Sequence, residues 1–90
     1  MKRLTARVQG RVQGVSFRYT TQQRAISLGL KGWVRNERNG DVSLLAEGPK
    51  ETLLTLLAFV ETGPRAARVD KVSAEWGEGD GSFKVFRIAL

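Results

Sequence analysis

The pattern of apolar residues along the chain predicts an α+β fold of the ferredoxin-like split βαβ class, with two helices on one face of an antiparallel sheet. Two observations predict this class. Strand-like and helix-like segments follow one another in the order β-α-β-β-α-β with one added strand, and a strong hairpin signal separates the second and third strands. The chain has 90 residues, so we expect residues 1–90 to form a single domain.

The first half of the chain predicts a strand, a helix and a second strand. Apolar and polar residues alternate over residues 4–8, which is typical of a half-buried strand, and Gly10 ends it. Apolar side chains then recur at helical spacing and predict a helix over residues 19–28, with Gly29 at the left-handed end position. Residues 30–36 predict the second strand. The helical spacing is carried by Phe17, Thr21, Ala25 and Leu28.

A hairpin turn is predicted at Asn39-Gly40, because both residue types tolerate positive φ. Alternation resumes after the turn at Val42, Leu44 and Ala46, so the second and third strands should pair antiparallel.

The second half predicts a helix and two more strands. Gly48-Pro49 opens the helix with proline at its first position, and Gly63-Pro64 stops it. Two strands follow over residues 69–76 and 83–88, joined by a glycine-rich turn. The buried stripe of the helix is predicted to be Leu53, Leu56, Leu57 and Val60, and Trp33 and Trp76 are predicted to be core or sheet-face residues.

The residue types that are missing exclude several chemistries. The chain has no histidine and no cysteine, which excludes a Ser-His-Asp triad, a cysteine nucleophile, an imidazole base and a histidine-ligated metal. We therefore expect no metal and no cofactor. No apolar run approaches the roughly 20 residues of a membrane-spanning helix, and no secretory leader is legible, so we expect a cytoplasmic protein without membrane contact.

The charge is distributed unevenly. The net charge is +6, but residues 1–38 carry nine basic residues against one acidic residue, and residues 39–90 carry a small negative excess. This asymmetry places an anion site early in the chain. A nucleic-acid-binding module on the same fold is the alternative. An RNA-recognition sheet needs stacked aromatic residues on its central strands, and neither central strand offers them, so we expect no specific nucleic-acid partner.

The connection between the first strand and the first helix, residues 10–18 (GRVQGVSFR), is the most informative segment. A glycine-containing loop at a helix N-terminus can direct successive backbone N–H groups at an anion, and an arginine there adds a guanidinium that matches phosphate oxygens. An ordinary polar connector is the other interpretation. No Walker lysine and no third glycine complete a nucleotide-binding motif. The candidate phosphate-binding residues are Gln13, Gly14, Val15, Ser16, Phe17 and Arg18.

Asn36, at the end of the second strand, is the second candidate. It could cap the hairpin, but Asn39 has the stronger claim to the turn. A carboxamide can instead hold a water molecule, because it both donates and accepts hydrogen bonds. Strand alternation puts Glu37 on the opposite face from Asn36, and we interpret Glu37 and Asp41 as surface residues.

These motifs together resemble the acylphosphatase family across nearly the whole chain. The resemblance rests on residues 10–18, on residues 28–36 (LGLKGWVRN) and on shorter matches further along. Those shorter matches are Thr21, Ala25, Asn39-Gly40, Gly63-Pro64, Ala67-Arg68-Val69 and Phe86. Such proteins often have Asp-Gly in the hairpin, where this chain has Asn39-Gly40.

The resemblance implies an enzyme that hydrolyses the carboxyl-phosphate bond of acyl phosphates, such as acetyl or carbamoyl phosphate, to a carboxylate and inorganic phosphate. It implies that Arg18 and the backbone amides of residues 13–18 bind the phosphate and that Asn36 positions the nucleophilic water. It also implies that no metal takes part and that inorganic phosphate is an inhibitor as well as a product. We expect a monomer, and the remaining alternative is a carbamoyl-phosphate-handling module of a larger enzyme.

The chemistry of the residues agrees with this activity. Phosphoryl transfer relies mainly on positioning and on stabilisation of charge on the phosphoryl oxygens, which amides and an arginine supply. A carboxylate leaving group, with a conjugate-acid pKa of roughly 4, needs no general acid. The absence of histidine therefore fits this substrate class.

Overall fold

A computed structural model of the protein describes residues 1–90. It contains the predicted strands and helices in the predicted order, so the fold class is confirmed. Neither helix is long and apolar enough to cross a membrane. In chain order the elements are β1 (Lys2–Arg11), α1 (Phe17–Ser27), β2 (Lys31–Asn36), β3 (Val42–Gly48), α2 (Lys50–Thr62), β4 (Arg68–Glu78) and β5 (Phe86–Ile88).

The five strands form one sheet in the order β4-β1-β3-β2-β5. The pairs β1–β4, β1–β3 and β2–β3 are antiparallel as predicted. The expectation of a wholly antiparallel sheet is wrong at one edge, because β5 runs parallel to β2. The last residues of β4 and the first residues of β2 lie at the same end of the sheet. The chain crosses the sheet along this end after β4, so β5 starts beside the first residues of β2 and runs in the same direction.

Both helices cover the same face of the sheet. On this face Leu4 of β1 pairs with Ala46 and with Trp76, and the next inward positions follow the same alternation. The predicted helix stripes are buried, except that Leu28 and Leu57 are only partly buried. The fully covered core comprises Leu4, Ala6, Val8, Val12, Phe17, Ala25, Leu30, Val34, Val42, Leu44, Ala46, Leu53, Leu56, Val60 and Phe86.

The two tryptophans are sheet-face residues rather than core residues. The Trp76 side chain is 41% exposed and lies under the ammonium of Lys50, 5.6 Å from the ring centre. Trp33 lies on the face without helices, where the Arg35 guanidinium stacks 4.6 Å from its ring. These cation–π contacts cover part of each ring without enclosing it.

Several element boundaries differ from the predicted ones by a few residues, and three of the differences have a local reason. α1 begins at Phe17, two residues early, because Ser16 already completes the turn into the helix. α2 begins at Lys50, and Pro49 is its extended N-cap residue rather than its first helical residue. β5 has only three residues because its partner strand, β2, starts at Lys31. The first residues of the predicted strand therefore have no residue of β2 to pair with.

An irregular pairing near the end of β1 leads the chain into the loop before α1. The β1–β4 register shifts between Gln9 and Gly10, and Gly10 adopts φ 136°. A Cβ atom at Gly10 would lie 2.1 Å from the carbonyl oxygen of Arg68. Only glycine fits this close approach of two backbones.

Replacing Gly10 with alanine should therefore destabilise the fold. We expect Gly10→Ala to lower the free energy of unfolding by about 2 kcal/mol or more, since it adds a backbone clash to an unfavourable φ. Urea denaturation of purified protein measures this. Gly77→Ala is the matched control in a neighbouring strand, because a Cβ at Gly77 meets nothing within 4 Å. Equal losses in the two variants would contradict the proposed role of the close contact.

Candidate active site

The loop between β1 and α1 contains two residues in the left-handed region. Gly14 has φ 75° and Ser16 has φ 63°, and Ser16 is the only non-glycine residue in the chain with positive φ. A Cβ atom at Gly14 would meet nothing within 4 Å, so glycine is favoured there by backbone conformation and not by lack of space. A strained serine of this kind is uncommon and is found most often at functional sites.

The N-terminus of α1 has free amide groups. Its first backbone hydrogen bond runs from Thr20 N to Ser16 O at 3.0 Å, so the N–H groups of the residues before Thr20 have no helical carbonyl to donate to. The Ser16 side chain makes no capping hydrogen bond, and the first turn holds no acidic residue. The positive end of the helix dipole and several unpaired N–H groups are therefore open to an anion.

Arg18 is the cation at this helix start. Its side chain is partly buried, and none of the ion pairs in the structure includes it. Its guanidinium can therefore bind an incoming oxyanion without first breaking a salt bridge.

Asn36 is the last residue of β2 and points to the helix side of the sheet. It pairs with Val42, which in turn lies on the same face as Val34 and Val8. Its side-chain oxygen, Oδ1, is buried and has no hydrogen-bond partner. A buried polar atom left unpaired costs stability, and at a cleft it marks a position for a water molecule or a ligand.

These groups meet in one cleft of about 170 Å³. At roughly 30 Å³ for each water molecule, the cleft has room for about five, which suits a phosphoryl group and a water more than a bulky acyl group. The cleft is lined by Val12, Gly14, Ser16, Phe17, Arg18, Tyr19, Asn36 and Ile88.

The structure brings together five of the seven residues singled out in the sequence. Gly14, Ser16, Phe17, Arg18 and Asn36 all line the cleft. Gln13 and Val15 do not. Val15 packs against the core, and the Gln13 side chain extends to the hairpin that follows β2.

Three of the residues that line the cleft were not among the candidates predicted from the sequence. Val12 and Tyr19 flank the candidate residues 13–18, so a wider window around them would have included both. No local sequence pattern indicated that Ile88 lines the cleft. It reaches the cleft because β5 pairs parallel with β2 and sets Ile88 opposite Val34, two residues before Asn36.

The hairpin after Asn36 is a longer turn than the predicted one. Its closing hydrogen bond runs from Glu37 N to Asp41 O at 2.8 Å, and only Gly40 has positive φ. Asn39 shapes the turn through its side chain, whose Oδ1 accepts a hydrogen bond from Asp41 N at 3.0 Å. The prediction that Asn39 and not Asn36 serves the turn is confirmed.

The interpretation of Asp41 as a surface residue is wrong. Asp41 is buried, and its carboxylate lies 3.5 Å from Arg7 Nε. Glu37 is on the predicted face, opposite Asn36, but it is only partly exposed. Its carboxylate lies 2.8 Å from Arg35 Nε and 3.3 Å from Arg7 Nη2, and it accepts a hydrogen bond from the Ser43 hydroxyl.

The Glu37 carboxylate is stabilised in its ionised form. The hydrogen bonds from Ser43 and then from Arg35, with the charges of Arg35 and Arg7, outweigh partial burial and lower its pKa from the usual 4.5. This cluster holds the hairpin against the face of the sheet that carries no helices. No group of acidic side chains in the structure is placed to hold a metal ion.

The fold and the cleft together define an α+β domain with unpaired amide groups and an arginine beside a cleft at a helix start. The model of the acylphosphatase family matches residues 4–88. The chain is 49% identical over 87 residues to an acylphosphatase of Salinibacter ruber, covering 97% of this chain and 92% of that one. It is 49% identical over 88 residues to an acylphosphatase of Thermus thermophilus, covering 98% and 99%.

Among solved structures, the crystal structure of acylphosphatase from Bacillus subtilis matches with a TM-score of 0.96 at 36% identity, with both chains fully covered. The chain therefore belongs to the acylphosphatase family. It is an enzyme that hydrolyses acyl phosphates.

The lowered pKa of Glu37 predicts a specific pH dependence of stability. A carboxyl whose pKa is lower in the folded state contributes stability above its unfolded pKa, and that contribution is lost as the pH falls through the folded value. Glu37→Gln should therefore be less stable than the wild type at pH 7, and the difference in melting temperature should shrink below about pH 4.5. Glu61→Gln, an exposed change on α2, is the control. A difference that stays constant from pH 7 to pH 3 would contradict the prediction.

Proposed function

We propose that the cleft is the active site and that it acts on the phosphoryl group of the substrate. Arg18 and the backbone amides of residues 13–18 bind the phosphoryl oxygens, and Asn36 positions the attacking water. One observation carries this proposal: Asn36, whose Oδ1 is buried and without a hydrogen-bond partner, lines the same small cleft as an arginine without an ion pair.

The phosphate-binding half of the site works by electrostatics. Charge builds up on the equatorial phosphoryl oxygens in the transition state, and fixed N–H dipoles with one guanidinium stabilise it without needing to reorganise. The free amides at the start of α1 supply the dipoles. Arg18 supplies the charge, and its planar group of donors can reach two oxygens at once.

Asn36 acts on the water and not on the phosphate. Its Oδ1 accepts a hydrogen bond from the water, which orients the lone pair of the water oxygen towards phosphorus. A carboxamide cannot take up a proton at neutral pH, so the proton released by the water passes to a phosphoryl oxygen of the substrate.

The leaving group explains why the site needs no acid. No carboxyl, ammonium or imidazole group lines the cleft, so an alkoxide would leave without a strong proton donor. A carboxylate has a conjugate-acid pKa of roughly 4 and leaves unaided. The small cleft also leaves most of the acyl group outside, so recognition depends mainly on the phosphoryl group.

Several finer properties belong to the same proposal. Residues 1–90 act as one domain and as a monomer, since a single chain contributes every group named above. The reaction proceeds in the cytoplasm and without a metal or cofactor, and inorganic phosphate competes with substrate for the amides and Arg18. A specific nucleic-acid partner is disfavoured, because the open faces of the central strands β1 and β3 carry no aromatic residue.

The purified protein should hydrolyse benzoyl phosphate in the presence of EDTA. Inorganic phosphate should inhibit competitively, because it occupies the site of the phosphoryl group. An ordinary phosphate monoester, which needs protonation of its leaving group, should be hydrolysed far more slowly. Release of benzoate measured with and without EDTA checks the first point. Loss of activity on chelation would overturn the metal-independent mechanism, and faster hydrolysis of the monoester would overturn the leaving-group argument.

Replacing Arg18 and replacing Asn36 should have different effects on phosphate affinity and on rate. Arg18→Ala should lose both phosphate affinity and rate, whereas Asn36→Ala should lose kcat and still bind phosphate. Each rate loss should be at least about 10²-fold, the usual cost of removing one oxyanion donor. Calorimetric titration with phosphate, beside steady-state kinetics, separates the two. Arg65→Ala removes an exposed arginine and is the control for charge alone. Full activity in Asn36→Ala would show that the water is positioned by another group.

A further inference from the structure

The side chain of Gln13 connects the two halves of the site. Gln13 lies in the phosphate-binding loop, and its Nε2 donates to the carbonyl oxygen of Glu37 at 2.7 Å and to that of Asp41 at 2.9 Å. Both N–H bonds of the carboxamide are used, and the side chain is partly buried. Two short hydrogen bonds from one group fix its position far better than one.

The carbonyls that Gln13 contacts belong to the turn that carries Asn36. Glu37 follows Asn36 directly, and its N–H closes the turn by donating to Asp41 O at 2.8 Å. Gln13 is therefore hydrogen-bonded to both ends of this turn. Any movement of the loop relative to the turn would change the distance between the phosphate-binding amides and the Asn36 side chain.

The opposite side of the turn is held separately. The carboxylates of Glu37 and Asp41 are bound by Arg7, on the open face of the sheet. These contacts fix the turn to β1 but leave the loop free. Gln13 makes the only side-chain hydrogen bonds between the loop and the turn.

We propose that Gln13 is a positioning residue, which sets the distance between the bound phosphoryl group and the water held by Asn36. This inference rests on the proposed roles of Arg18 and Asn36. It assigns the Gln13 side chain a function distinct from that of its backbone amide, which remains in place when the side chain is replaced. The side chain should govern the rate of the chemical step and leave phosphate affinity unchanged.

Gln13→Met tests this, because methionine is similar in length and shape but has no N–H donor. We expect kcat to fall by about 10- to 100-fold, the effect of misplacing reacting groups by about 1 Å. The dissociation constant for inorganic phosphate, measured by calorimetry, should not change. Gln23→Met, on an exposed position of α1, is the matched control and should keep the wild-type kcat. A wild-type kcat in Gln13→Met, or a parallel loss of phosphate affinity, would overturn the proposal.

A double-mutant cycle with Asn36→Ala shows whether Gln13 acts through Asn36. If it does, Gln13→Met should cost little further rate in the Asn36→Ala background, because there is no longer a positioned water to misplace. The same fractional loss in both backgrounds would overturn the coupling. In combination with Arg18→Ala, the two losses should instead multiply.

Gln13→Glu gives a second test that does not depend on packing. An ionised carboxylate would face two carbonyl oxygens, so kcat should fall further than in Gln13→Met and should partly recover at lower pH, where a protonated carboxyl can donate one hydrogen bond. Equal activity of the two variants at every pH would show that only the bulk of the side chain matters. The proposed function itself fails separately, if Asn36→Ala and Arg18→Ala keep full activity.

Discussion

The site depends on a helix start that the protein leaves uncapped. At most helix N-termini a serine, threonine or aspartate side chain accepts a hydrogen bond from the first amides, which stabilises the helix by about 1 kcal/mol. Here Ser16 is turned into the left-handed region and makes no such bond. The free N–H groups of α1 thus lower the stability of the fold, and in the proposed site a phosphoryl group supplies the missing acceptor.

The sheet brings Asn36, the residue proposed to position the water, to that helix start. Because cross-strand partners share a face, the register that sets Asn36 opposite Val42, and Val42 opposite Val8, places Asn36 beside the end of β1. A shift of one residue in the β2–β3 pairing would turn Asn36 to the open face. The turn after Asn36 opposes such a shift, since Glu37 and Asp41 both bind Arg7 on the open face and the Asn39 side chain accepts a hydrogen bond from Asp41 N within the turn.

Local patterns in the sequence predicted most of the fold and the main residues of the site. Gly14, Arg18 and Asn36 could be found because each serves a local motif, a glycine loop or a strand end. The remaining features depend on distant partners. The parallel pairing of β5, and with it Ile88, follows from which end of the sheet the chain crosses after β4. The burial of Asp41 follows from Arg7 on another strand, and sequence spacing carries no signal for that contact.

The structure also changes the interpretation of the positive charge of residues 1–38. Lys2, Arg3 and Arg7 are paired with carboxylates from later in the chain, which neutralise part of the positive charge of the first 38 residues. Arg18 is not paired, and it stands beside the free amides. Attraction of an anion to the cleft therefore depends less on the total charge than on the unpaired cation that lines it. A site built from one free guanidinium, backbone amides and one carboxamide requires no buried acid or base. Such a site is compatible with a core of only 15 apolar residues, which has little stability to spare for a buried charge without a partner.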